Sequence, residues 1–244
     1  MPDRRLADRL GELVNLTESE TAALSGLQGR MRTLRRGATL VREHDRHAEL
    51  FVVRHGMLMS FVMLADGSRQ ILRFLFPGDI LSLSALVYRN SPETIVALDD
   101  SDVVACDRSA VAVLMATHPR LCGLLLVINQ IERVAMTDRL AALGRTSAKT
   151  RIAALLLEIR NSRRAVDPRI ATTFTLGLTQ EEVGDATGLT SVHVNRMLRE
   201  LENDRLIARG GGMMTILDEA RLARVANYVD RFAGIDLSWL PPAR

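Results

Sequence analysis

Cysteine, lysine and aromatic residues are scarce in this chain of 244 residues. Cys106 and Cys122 are the only cysteines. Two thiols exclude a cysteine-only four-ligand zinc or iron–sulfur site within one chain and give no disulfide framework. Lys149 is the single lysine, so nearly all positive charge is carried by arginine. Polar residues break the apolar runs well before the length of a membrane span, so a soluble chain is expected. Charges run through Pro2–Leu16, where a secretory signal would have an uninterrupted apolar stretch. The expectation is a reducing cytoplasm and no membrane partner.

Apolar residues make up 47% of the chain, enough for real cores rather than disorder. The length suits two domains. From Met1 to Leu143, 17 arginines balance 17 acidic residues, whereas from Gly144 to Arg244 15 basic residues stand against 12 acidic ones. The positive excess therefore lies in the C-terminal part, where a polyanion partner is to be sought.

Leu6, Leu10 and Leu13 are spaced as on a helix. Thr17-Glu18-Ser19-Glu20 reads as a capping box opening a short helix through Leu24. From Met31 the pattern shortens to strand-sized runs at Thr39–Val41, Leu50–Val53, Leu58–Leu64, Ile71–Phe76, Thr94–Leu98 and Val103–Cys106. Arg36-Gly37, His55-Gly56, Asp66-Gly67 and Pro77-Gly78-Asp79 punctuate them, and Asp66-Gly67 is a hairpin signature. Short strands at this spacing predict a sandwich or barrel up to about Arg108. Beyond Pro119, the residues Leu121, Leu124, Ile128, Ile131 and Ala135 alternate in steps of three and four, as in a coiled-coil seam. Such a stripe either pairs with its copy in a second chain or packs on its own β-domain; the sequence reading favours the dimer. Ser147–Ile159 predicts another helix. Asn161–Thr173 is charged, contains Pro168 and reads mostly as loop.

The stretch from Leu178 to Leu201 carries the most chemistry. Thr179 and Glu182 form a capping box for a helix of about two turns. Gly184 leaves room for a second helix to cross, and Gly188 suits a turn with positive φ. Thr190 caps the second helix, whose inward positions are Val194, Met197, Leu198 and Leu201. Ser191, Val192, Asn195, Arg196 and Arg199 fall on its outer face. Two short helices around a glycine turn, with polar groups near the start of the second, predict a helix-turn-helix. Leu206–Arg209, three glycines and Met214–Leu217 then predict a wing hairpin.

In this order of elements the chain resembles the Crp/Fnr family of bacterial transcription regulators essentially end to end. The resemblance implies an α+β architecture. Its parts are an N-terminal β-roll sensor domain (jelly-roll, cyclic-nucleotide-binding-like) over 1–108, a dimerisation helix region over 109–143, and a C-terminal winged helix-turn-helix domain over 144–244. It implies a homodimer on a palindromic site in double-stranded DNA, RNA polymerase as a further partner, and no catalytic residue. The second motif helix would enter the major groove. Ser191, Val192, Asn195 and Arg196 match the family's base-reading positions, and Arg196 matches its arginine, able to fork onto guanine O6 and N7. The Ser191-Val192 pair departs from the best-known patterns, which have an arginine or glutamate here. Thr179, Thr190 and Arg199 join the candidate DNA contacts. His193 is one as well, although packing against the first motif helix is the equal alternative.

The family's cyclic-AMP receptors carry a Gly-Glu pair and a later Arg-Ser pair. Here Ser82-Leu83 and Glu93-Thr94 stand at those places, a candidate effector pocket. Leu83 cannot accept from a ribose hydroxyl, and Glu93 would repel a phosphate. A cyclic AMP effector is therefore not expected. The N-terminal cysteine set of the oxygen-sensing relatives is missing, and Ser84 stands where the haem-binding relatives have histidine, so the cofactor is left unassigned. His44, His47 and His55 suggest a cupin-type metal enzyme, but a metal needs converging ligands and the spacing does not supply them. Surface histidines are the better reading. Cys106 and Cys122 read as small buried hydrophobes before redox groups.

Overall fold

The computed structural model describes residues 4–27, 29–231 and 234–243. Two compact units emerge. One takes the chain to Val62, Phe74–Val134 and the C-terminal stretch after Arg231; the other takes Met63–Arg73 and Ala135–Arg231.

The first unit opens with helices α1 (Leu6–Gly11) and α2 (Glu18–Gly26). Thr17 caps α2 as expected: its hydroxyl accepts from the Glu20 amide, and the Glu20 carboxylate accepts from the Thr17 amide at 2.9 Å. Strands follow as β1 (Met31–Leu34), β2 (Thr39–Val41), β3 (Glu49–His55), β4 (Leu58–Met63), β5 (Arg69–Leu75), β6 (Ile80–Leu81), β7 (Thr94–Ala97) and β8 (Ser101–Asp107). A 3-10 turn over Leu83–Leu86 separates β6 from β7. The strands make two four-stranded sheets, ordered β1-β8-β3-β6 and β2-β7-β4-β5. Two of these strands, β1 and β6, were not marked by the sequence pattern.

Strand β3 explains the architecture. Its side chains alternate between faces, yet Leu50 to Val53 are all apolar because both faces are covered. Leu50 and Val52 join a cluster with Leu10, Leu24, Leu114 and Leu121 of the helices, while Phe51 and Val53 join Leu58, Leu75, Ile95 and Val103 between the sheets. Two helices close the unit, α3 (Arg108–Thr117) and α4 (Pro119–Arg145), the latter running on into the second unit.

Helix α4 corrects the dimer seam. Leu121 and Leu124 have no exposed surface and Ile128 only 7%, all three packed in the helical cluster of their own unit. They stabilise the chain itself and cannot face a partner. Ile131 is half-buried and Ala135 exposed. The C-terminal segment packs nearby: a Cβ on Gly123 would lie 2.5 Å from Leu240 Cδ2. That contact has no signature in the spacing of residues.

The second unit holds α5 (Ala148–Val166), β9 (Thr173–Thr175), α6 (Gln180–Thr187), α7 (Ser191–Asn203), β10 (Ile207–Gly210), β11 (Met213–Ile216) and α8 (Glu219–Val225). Helix α5 runs seven residues beyond the expected Ile159, through much of the stretch read as loop. The charged residues there are part of the packing: Arg160 is 1% exposed and pairs with Glu219 of α8. Strand β9, which begins at the last residue of the stretch read as loop, pairs antiparallel with β11 through Phe174 and Met214, both buried.

Candidate nucleic-acid interface

Helices α6 and α7 form the site, and local chemistry sets both starts. The Thr179 hydroxyl accepts from the Glu182 amide at 3.1 Å, and the Glu182 carboxylate accepts from the Thr179 amide at 2.7 Å. Helix α6 ends at Gly188, whose φ of 66° is left-handed. The Leu189 amide donates back to the Gly184 carbonyl at 3.0 Å. A Cβ on Gly184 would lie 2.4 Å from the Leu189 carbonyl oxygen, so only glycine lets the turn close this tightly. Thr190 then caps α7 by accepting from the His193 amide.

On α7, Val194, Met197, Leu198 and Leu201 are buried, as their spacing predicts. The opposite face is turned outward: Ser191, Val192, His193, Arg196 and Arg199 are exposed and Asn195 is half-buried. An open recess of about 440 Å³ is lined by Gln180, Ser191, Val192, Asn195, Arg196 and Arg199. Gln180 is the residue that sequence reasoning left out. Its signal was its place just after the capping Thr179, on the helix that lies against α7.

His193 is exposed rather than packed on α6, with Nδ1 3.2 Å from the Thr190 hydroxyl. Thr179 already uses its hydroxyl and amide in the capping box. Among the described residues no carboxylate pairs with Arg196, in contrast to Arg209 on β10, which donates to Glu202 on α7 at 2.5 Å. That bond holds the Glu202 carboxyl below its ordinary pKa and fastens the end of α7 to the wing. The wing itself is the β10–β11 hairpin, paired from Ile207↔Ile216 to Gly210↔Met213 around a Gly211-Gly212 turn.

The other candidate residues lie in the first unit. Ser82 is buried at a left-handed φ of 59°, and its hydroxyl has no partner among the described residues. Leu83 packs against the helical cluster. Ser91 donates to the Glu93 carbonyl at 2.7 Å, and the Thr94 hydroxyl accepts from the Glu43 amide at 3.0 Å. Among the described residues no three His, Cys, Asp or Glu side chains gather as a metal site. Burial pushes the Cys106 thiol up to about 11, so at neutral pH it is a buried small hydrophobe and not a reactive thiolate.

A winged helix-turn-helix with an outward second helix, in a chain that also carries a β-roll of two sheets, defines a DNA-binding regulator with a sensor-type domain. Residues 150–225 match the Crp-like helix-turn-helix domain, and residues 31–118 match the cyclic nucleotide-binding domain. The chain belongs to the Crp/Fnr family and is a DNA-binding transcription regulator of that type.

Among its relatives is the fumarate and nitrate reduction regulatory protein of Vibrio cholerae, 27% identical over 86% of this chain and 84% of that protein. The protein of the same name from Escherichia coli is 26% identical over 89% and 87%. Among solved structures, FixK2 from Bradyrhizobium japonicum has a TM-score of 0.73 at 24% identity, covering 82% of this chain and 98% of that one. A CRP-family transcriptional regulator from Thermus thermophilus has a TM-score of 0.66 at 23% identity, over 81% and 97%. These structures share the fold.

Proposed function

We propose that this regulator binds a palindromic duplex as a homodimer, with α7 of each copy in the major groove. The observation that carries this reading is the recess on the outer face of α7, where polar and cationic groups stand beside Arg196, which has no carboxylate partner among the described residues. Ser191, Val192, Asn195 and Arg196 address base edges. Gln180, His193 and Arg199 are placed for the flanking phosphates, while Thr179 and Thr190 fix the starts of the two helices. The working division is a sensor domain over 1–108, a dimerisation region over 109–143 and a DNA-binding domain over 144–244. RNA polymerase is the expected partner at a promoter, and the chain carries no catalytic role. Its place is the cytoplasm; among the described residues no helix is long and apolar enough to cross a membrane.

The dimer uses the outward side of α4. Leu126, Met136 and Leu140 are 52%, 45% and 72% exposed. With Asn129 and Arg133 they fall on one heptad seam, Leu126, Arg133 and Leu140 in one register and Asn129 and Met136 in the other. A polar residue in such a seam fixes register at some cost in stability.

The effector is something other than cyclic AMP, because Leu83 and Glu93 stand where ribose and phosphate would need an acceptor and a cation. Calorimetry is expected to find no micromolar affinity for cyclic AMP. The central test is selection of bound sequences from random duplexes by the purified protein, followed by titration over a range of salt. The reading requires a two-fold symmetric consensus and affinity that falls with salt, by a logarithmic slope of about 0.9 per phosphate neutralised. A salt-dependent but sequence-indifferent protein would overturn it.

A further inference from the structure

Val192 is 79% exposed, which is unusual company for the groups around it. It is the second residue of α7, and its neighbours on the outer face are Ser191, Asn195, Arg196 and Arg199. Helix stability does not ask for valine there. A β-branched residue is a poorer helix former than most, and an exposed one buries nothing. Single exposed hydrophobes are ordinary on protein surfaces. This one, however, lines the recess at the N-terminal end of the helix that reads base edges.

We propose that Val192 reads the 5-methyl group of a thymine close to the base pair engaged by Arg196. The proposal rests on the DNA-reading role given above to α7. The thymine methyl is the one apolar group on the major-groove edge of a base pair. An isopropyl side chain can cover it and has nothing to offer a polar edge. Cytosine set against Val192 would bury its N4–H donor without an acceptor, a loss that thymine avoids. Residues four apart on a helix are surface neighbours, about 5–6 Å between Cβ atoms. Base pairs rise about 3.4 Å per step. Val192 and Arg196 therefore address base pairs one or two steps apart, and the half-site holds a thymine that near its guanine contact.

The test uses the full-length protein and the duplex obtained by selection. Each thymine of the half-site is replaced singly by deoxyuridine, which removes the methyl group and leaves pairing unchanged. Replacing the contacted thymine in one half-site should weaken wild-type binding about fourfold, the size expected for burying one methyl group, and replacing it in both half-sites by about the square of that. Val192→Ala should bind the thymine and deoxyuridine duplexes equally. Val192→Thr, which keeps one methyl, should retain part of the difference. If wild type tolerates deoxyuridine at every position, or if Val192→Ala shows the full penalty, Val192 does not read a methyl group, while operator binding through α7 still stands. If selection returns no preferred sequence, both readings fall together.

Discussion

Arg196 lies about one and a half turns into α7, counting 3.6 residues per turn from the capping Thr190. Its inward neighbours Met197 and Leu198 are buried, so the guanidinium faces outward, with no carboxylate partner among the described residues. A bidentate arginine–guanine pair discriminates by about 1–3 kcal/mol. Arg196→Ala should lose specific affinity by that amount per half-site, while non-specific binding largely survives on phosphate contacts. Arg196→Lys should not restore specificity, because lysine lacks the planar fork. Titration of both variants against the selected and a scrambled duplex at one salt concentration checks this. Equal loss on both duplexes would make Arg196 a phosphate contact.

Among the elements, α7 must be held at both ends for its outer face to be useful. Thr190 fixes the start, and the Glu202–Arg209 pair joins the end to the wing at 2.5 Å. The bond from Arg209 lowers the Glu202 pKa from its ordinary 4.5. A carboxyl depressed in the folded state contributes stability that is present above its unfolded pKa and is lost as pH falls through the folded value. Glu202→Gln should therefore be less stable than wild type at pH 7, by under about 1 kcal/mol since the pair is partly exposed. The gap should close as pH falls below about 4. Denaturant melts of both proteins from neutral pH down through the carboxylate range measure it; a gap that stays constant with pH would remove the pair from the account.

Across the molecule, the proposed dimer gives α4 two jobs with different residues. Leu121, Leu124 and Ile128 hold the first unit together, and the side carrying Leu126, Met136 and Leu140 remains uncovered. Leu126→Glu with Met136→Glu should give a monomer by sedimentation at micromolar concentration, with the fold intact by circular dichroism and operator affinity reduced at least tenfold. Ile128→Glu should behave differently. It places a charge in a closed apolar cluster, a cost of several kcal/mol, and should unfold the first unit. A double variant that remains dimeric would move the interface to another surface.

Elements with local causes could be read from the chain alone. The capping boxes at Thr17 and Thr179, the Asp66-Gly67 turn, the close approach at Gly184 and the inward face of α7 each depend on residues within a few positions of one another. All appear in the structure where their spacing put them. The outward face of α7 was legible for the same reason, because one amphipathic helix fixes which side chains point out. What lies against an apolar stripe is a different matter, settled by the folded chain. The three–four spacing on α4 shows that a face is buried and cannot say whether a second chain or its own β-domain covers it. The outward side of α4 has no such signature, because Asn129 and Arg133 interrupt its apolar pattern. Helix α5 outran its expected end because the partner that lets Arg160 be buried, Glu219, lies far along the chain. The recess that adds Gln180 to α7, and the fit of Leu240 over Gly123, likewise join residues that no local period connects.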